Sequence, residues 1–331
     1  MSSTRQSFSR ASSASVPPRP RALLIAGATA SGKSSLALGL AKKLNVSIIN
    51  ADSMQIYREL QIITARPDAA DEAVCPHHLF GHVSAVEDYS TGRWLDDVLA
   101  AIAQVEKAGR LPVIVGGTGL YFTALTEGIA AIPDIPDAVR RKVRQRFEDD
   151  GLAVCHAALE AVDPAAFQRI LPSDKQRTLR ALEVYEATGR ALSDWHQDPV
   201  TPPLAANEKG GLLKILLLPS RDWLYERCDR RFDEMLAAGA LAEAEKITAL
   251  GLAPDRPAMK AVGLPSLQAV IAGTQTPETA RLQAQQQTRR YAKRQMTWFR
   301  NQMISWNSYS EQEYYKNNDE FLSYITKKGL T

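Results

Sequence analysis

Cysteine is scarce in this chain of 331 residues: there are three, Cys75, Cys155 and Cys228, far apart and in no C-x-x-C pair. That argues against a disulfide framework or a zinc module and fits a reducing compartment. No uninterrupted apolar run approaches the roughly 18 residues of a membrane span. Net charge is nearly absent, +3 from 40 basic and 37 acidic residues. Any affinity for nucleic acid must therefore come from where the basic residues lie. The first twenty residues hold no acid and no apolar core of the kind a secretory signal needs. Rich in Ser and Arg and ending in Pro-Pro-Arg-Pro, they suit a transit peptide, an upstream start codon or a disordered tail, and the tail is preferred, with the cytoplasm as the expected location. The chain as a whole, with 45% apolar and 23% charged residues, has ordinary globular composition and ample length for a core.

What is present is concentrated near the start. Gly27-Ala28-Thr29-Ala30-Ser31-Gly32-Lys33-Ser34 matches G-x-x-x-x-G-K-[ST], a loop that wraps a polyphosphate in backbone N–H groups. The apolar run Ala22–Ala26 precedes it and an apolar-periodic segment follows, giving strand, Gly-rich turn and helix N-terminus in that order. Unpaired N–H groups and the positive helix end then converge on one point. Lys33 adds a mobile cation, and Ser34 offers a hydroxyl to a Mg²⁺ that bridges phosphate oxygens.

Further strands are expected at Val46–Asn50, Leu111–Val115 and Leu213–Leu218, with a surface helix over 90–107 between the first two. Alternating strands and helices argue for a parallel α/β sheet. From Ala138 to Trp195 only helical periodicities occur, so the middle reads as a helical insertion from which the chain returns to the sheet. The expected organisation is a tail at 1–20, an α/β core at 21–130 and 205–307, an all-helical insert at 131–204, and a loosely held tail at 308–331. Two long amphipathic helices are expected at Trp223–Leu250 and Pro277–Phe299. The stretch 281–300 carries six basic residues with Tyr291, Trp298 and Phe299 among them and no acid.

A phosphate loop usually serves ATP or GTP, with an acid at the end of an apolar strand to hold Mg²⁺ through water. Here Val113-Ile114-Val115 runs into Gly116-Gly117-Thr118, and no Asn-Lys-x-Asp guanine pattern occurs. Asp52 follows the second strand, at the sheet edge that carries ligands in parallel α/β folds. It is available as a base aimed at a second substrate. Polyphosphate loop, free carboxylate and basic helices suggest group transfer from a phosphorylated donor to a nucleic acid. The rivals are a small-molecule kinase on the same scaffold and a non-catalytic RNA-binding protein with a vestigial loop.

Five blocks carry a resemblance: the loop 27–34, Asp52-Ser53-Met54-Gln55-Ile56-Tyr57, Gly116-Gly117-Thr118-Gly119-Leu120-Tyr121, the stretch 174–183, and the stretch 291–300. In the order found here they are similar to the signature blocks of the tRNA dimethylallyltransferase family, over about residues 21–300. The resemblance implies a P-loop NTPase-like α/β core with a helical tRNA-binding insert. It implies transfer of a dimethylallyl group from dimethylallyl diphosphate to the exocyclic amine of the adenosine 3′ of the anticodon. The loop, in such proteins commonly labelled an ATP site, would hold the donor diphosphate with Lys33 and Mg²⁺ on Ser34. Asp52 would be the general base. Thr118 would orient amine or diphosphate, or else is a turn residue. Arg221 would reach the diphosphate, or else is a solvated helix-start arginine.

The same resemblance assigns Asp52, Ser53, Met54, Gln55 and Thr118 to the flipped adenosine. It assigns Arg140, Gln176, Arg177, Thr178, Leu179 and Arg180 to the anticodon stem-loop, although basic helices are often merely solvated. Lys260 is expected to touch tRNA as well, but Ala261-Val262-Gly263-Leu264-Pro265 departs from the family's usual Ala-Ile/Val-Gly-Tyr-basic run. Ile63 stands where Gly is common, read as a change of loop shape. His77 and His78 are expected to be structural rather than metal ligands. The zinc finger of eukaryotic relatives is not seen, which gives the chain a bacterial look, and a monomer is expected.

Overall fold

The computed structural model describes residues 21–204, 211–316 and 318–329. The expected tail at 1–20 and residues 205–210 lie outside them. Two compact units emerge, one holding Thr123–Leu204 and the other the segments on either side.

The larger unit is built on strands β1 (Ala22–Gly27), β2 (Val46–Asn50), β3 (His77–His78), β4 (Leu111–Gly116), β5 (Leu212–Leu217) and β6 (Asn307–Tyr309). They form one parallel sheet in the order β3-β2-β4-β1-β5-β6. Every residue of β1 is buried, as expected of a central strand covered on both faces. Helices α1 (Lys33–Ala41), α2 (Ala69–Glu72), α3 (Thr91–Lys107) and α4 (Gly119–Thr126) follow in the first half. The helical unit contains α5 (Asp137–Val162), α6 (Pro164–Arg169), α7 (Lys175–Thr188) and α8 (Leu192–Trp195). Beyond it come α9 (Arg221–Ala237), α10 (Ala240–Thr248), α11 (Leu264–Ile271), α12 (Pro277–Gln302) and α13 (Asn318–Gly329).

Local chemistry accounts for several boundaries. Ser90 caps α3 by accepting from Arg93 N–H, and Trp94, Val98, Ile102 and Val105 form its buried stripe. The amphipathic stretch 223–250 is broken by Gly239 (φ 103°) into α9 and α10. In the helical unit, buried Asp163 caps α6 through Ala166 N–H (2.9 Å) and also receives Ser193 N–H (3.0 Å). Leu204 N–H donates to Leu125 C=O (3.0 Å), which ties the end of that unit to its start.

The stretch expected as a loosely held tail, 308–331, is part of the fold over its described residues. β6 extends the sheet, pairing Ile215 with Asn307 and Leu217 with Tyr309. Tyr314, Phe321, Leu322 and Ile325 join the core cluster that includes α1 and β1. Their spacing is helical, but polar residues on the outer face of so short a helix hide the stripe. No helix among the described residues is long and apolar enough to cross a membrane.

Strands β2 and β4 approach so closely at their ends that a Cβ on Gly116 would lie 1.9 Å from Ala51 C=O. Gly116→Ala should therefore destabilise the chain by about 1–3 kcal/mol, the usual cost of overpacking. The urea unfolding midpoint checks this.

Candidate functional site

Adjacent strands β2, β4 and β1 end at one sheet edge, so the segments after each of them meet there. After β1, Ala30 (φ 61°) and Gly32 (φ 93°) turn the chain through left-handed conformations. α1 begins at Lys33 with no side chain capping it, which leaves its first-turn amides for a ligand. The loop is pinned from outside. Gln295 of α12 accepts from Thr29 N–H (2.8 Å) and donates through Nε2 to Gly117 C=O (2.8 Å). Arg227 of α9 donates to Ala30 C=O (2.9 Å), and Lys33 Nζ donates to Ala28 C=O (3.1 Å).

After β2, buried Asn50 sets the backbone of Asp52: its Oδ1 accepts from Asp52 N–H (2.9 Å) and its Nδ2 donates to Asp52 C=O (2.9 Å). Asp52 Oδ1 accepts from Met54 N–H (3.0 Å). Thr118, after β4, accepts from Ser53 N–H (2.9 Å) and donates to Ser53 Oγ (3.2 Å). The expected pair Asp52 and Thr118 is thus joined through Ser53.

Two cavities meet at this point. The first, about 280 Å³, is lined by Thr29, Gly32, Lys33, Ser34, Asp52, Arg227 and Arg231 on its polar side and by Met54, Ile63, Phe232, Met235 and Val262 on its apolar side. Burial pushes the Lys33 ammonium down to about 8, opposed by the charge of Asp52 and helped by that of Arg231. Burial likewise lowers the Arg231 guanidinium. The second cavity, about 250 Å³, is lined by Ser53, Gly117, Thr118, Leu120, Arg294 and Trp298, and Tyr291 belongs to both. Burial, then the charge of Asp52, raises the Tyr291 phenol, which keeps it neutral. A shallower concavity of about 510 Å³ on α12 is lined by Arg290, Lys293, Arg294 and Trp298.

Several expected residues lie elsewhere. Arg221 is exposed at the start of α9, its guanidinium 5.1 Å from the Tyr225 ring, outside the first cavity. Arg227 and Arg231 reach that cavity instead, because six residues carry α9 roughly 9 Å further along its axis. Their i,i+4 spacing beside the buried stripe Leu224, Cys228 and Phe232 was the available signal. Gln295 was equally unmarked, although it is a glutamine on a face otherwise formed by Ala292, Met296 and Phe299.

Lys260 is exposed at the end of a 3₁₀ turn, and Ala261 and Val262 line the first cavity in its place. In the helical unit, Gln176 and Arg177 are exposed, with Arg177 held by Asp174 (2.6 Å). Thr178 and Leu179 are buried, so their side chains face the core of that unit and are withheld from a ligand. Arg140, Arg144 and Arg180 surround Glu183, whose carboxyl is raised by burial and held back by the three arginines.

The profile of the family described as IPP transferase matches residues 55–302, and one described as isopentenyl transferase matches residues 20–74. The tRNA dimethylallyltransferase of Parvibaculum lavamentivorans is 53% identical over 316 residues, covering 95% of this chain and 98% of that protein. That of Azorhizobium caulinodans is 50% identical over 288 residues, 87% and 91% of the two chains. Among solved structures, the full-length tRNA isopentenylpyrophosphate transferase of Bacillus halodurans superposes with a TM-score of 0.64 at 32% identity, covering 92% of this chain and 95% of that one. A eukaryotic dimethylallyltransferase acting on tRNA gives 0.74 at 27% identity, with 90% and 76% covered. With its P-loop NTPase-like parallel sheet and matching blocks along its length, the chain belongs to the tRNA dimethylallyltransferase family, the IPP transferases.

Proposed function

We propose that this chain transfers the dimethylallyl group of dimethylallyl diphosphate to the exocyclic N6 amine of the adenosine 3′ of the anticodon in tRNA, releasing diphosphate. The observation that carries the reading is the position of Asp52. It lines the cavity of the phosphate loop, while its neighbour Ser53 lines the adjoining cavity with Thr118. The family and the names of its members support the same reaction.

The diphosphate sits against the first-turn amides of α1, with Lys33, Arg227 and Arg231 around it. The five-carbon chain lies along Met54, Ile63 and Val262. Departure of diphosphate breaks the bond from the allylic carbon to oxygen, and the electron pair leaves with the oxygen. Oriented N–H groups and fixed cations stabilise the charge that builds there. The adenine amine forms the new C–N bond, and its proton, acidified as that bond forms, passes to the Asp52 carboxylate. Thr118 and Ser53 orient the adenine, which must leave its stack to be reached.

The residues present fit Mg²⁺. The Ser34 hydroxyl is exposed at the cavity wall, and with phosphate oxygens and water it makes the oxygen shell this ion favours. Bound by Ser34, the ion would spread the negative charge of the departing diphosphate. The cationic face of α12, exposed Gln176 and Arg177, and half-buried Arg140 and Arg180 are proposed contacts to the tRNA backbone. We read the protein as a cytoplasmic monomer. A kinase is not favoured, because β4 ends in Gly116 and runs on into Gly117 and Thr118 without a carboxylate for a nucleotide's metal.

Purified protein given dimethylallyl diphosphate, Mg²⁺ and unmodified tRNA should yield prenylated adenosine without ATP, as mass spectrometry of nucleosides checks; a strict need for ATP would sink the reading. Asp52→Ala should lower turnover on the order of 10²- to 10⁴-fold while tRNA binding, measured by filter retention, is kept. Lys33, with its pKa lowered to about 8, is charged below that pH and loses its proton above it. Diphosphate affinity should therefore be full below about 8, fall as pH rises through it, and show proton uptake on binding above it. Calorimetry in buffers of different ionisation enthalpy measures this, and Lys33→Met should flatten the profile.

A further inference from the structure

The segment after α12 reaches back to the phosphate loop. Tyr314, in a π-helical turn over Gln312–Lys316, is 2% exposed, and its hydroxyl donates to Ser31 C=O (2.8 Å). A trans peptide points its C=O and N–H in opposite directions. Holding the Ser31 carbonyl outward therefore turns the Gly32 N–H toward the cavity that Gly32 lines. The Tyr314 ring also closes the outer side of Gly32, 3.6 Å from where a Cβ there would sit.

Tyr315 acts on a different group. The Arg227 guanidinium lies 4.9 Å from the centre of the Tyr315 ring and 4.6 Å from that of Trp223. The two rings meet edge to face, 5.2 Å apart, and fix a side chain that would otherwise sweep many rotamers. Buried Glu311 ties the same segment to the start of α9 by accepting from Ser220 N–H (2.8 Å).

We infer that the C-terminal segment is a working part of the donor site: Tyr314 orients the Ser31–Gly32 peptide, and Tyr315 with Trp223 holds Arg227, both toward the donor's diphosphate. They are positioning residues and touch no substrate. The inference rests on the reading of the phosphate loop as the diphosphate site.

Binding of inorganic diphosphate and of dimethylallyl diphosphate, each with Mg²⁺, is measured by calorimetry beside binding of tRNA. Tyr314→Phe keeps the ring and removes one hydrogen bond. Tyr315→Ala removes the stack, and Tyr315→Phe retains it. Tyr314→Phe and Tyr315→Ala should each weaken both diphosphates about 5- to 10-fold, the scale of one hydrogen bond or cation–ring contact. The tRNA affinity should stay unchanged, and Tyr315→Phe should restore diphosphate binding. Failure of the unaltered protein to bind either diphosphate would overturn the donor-site reading itself. Normal binding by the unaltered protein, Tyr314→Phe and Tyr315→Ala alike would overturn this inference alone. So would a parallel loss of tRNA and diphosphate affinity, or a Tyr315→Phe protein as weak as Tyr315→Ala.

Discussion

Positive charge held out of water before any anion arrives is the condition that shapes this site. Lys33 and Arg231 are desolvated enough for burial to lower both, and the carboxylates of Asp52 and Glu234 share their cavity. Such an arrangement costs folding free energy unless each donor finds an acceptor. The protein offers main-chain carbonyls: Ala28 to Lys33, Ala30 to Arg227, Thr64 to Arg231. Carbonyls satisfy the donors without neutralising them, so the positive field of the cavity remains.

The sheet frames that field. Because β4 lies between β1 and β2, the Gly-rich segment after it runs between the phosphate loop and Asp52, and a bulkier residue at Gly116 would push the strand ends apart. Gln295 then bolts Thr29 to Gly117, and Asn50 fixes the Asp52 backbone. Asp52, the loop and the Ser53–Thr118 hydroxyl pair are thus held by hydrogen bonds to rigid elements. The partition into two cavities puts Asp52 in one and its neighbour Ser53 in the other, with Tyr291 lining both.

A different electrostatic solution appears in the helical unit. Arg140, Arg144 and Arg180 gather around Glu183, a half-buried acid that lets arginines crowd together without full mutual repulsion. Like the cationic α12 face, this is charge kept near the surface, where salt screens it.

Contiguous motifs were legible in the sequence alone. The loop 27–34, Asp52 after β2 and the segment 116–121 each carry their meaning within a few residues, since strand, turn and helix start are local events, and strand–helix alternation then implied the parallel sheet. Long-range packing was not legible. Arg227 and Arg231 supplanted Arg221 because the axis of α9, invisible in one dimension, decides which turn reaches the loop. Thr178 and Leu179 went inward because the helical unit's own core claimed that face of α7. Residues past Asn307 looked like a tail because their apolar positions acquire a partner only when α1 and β1 are beside them. A sequence fixes short-range geometry through φ/ψ preference and periodicity, whereas only the folded chain decides which distant side chains share a cavity, because burial is a property of the whole.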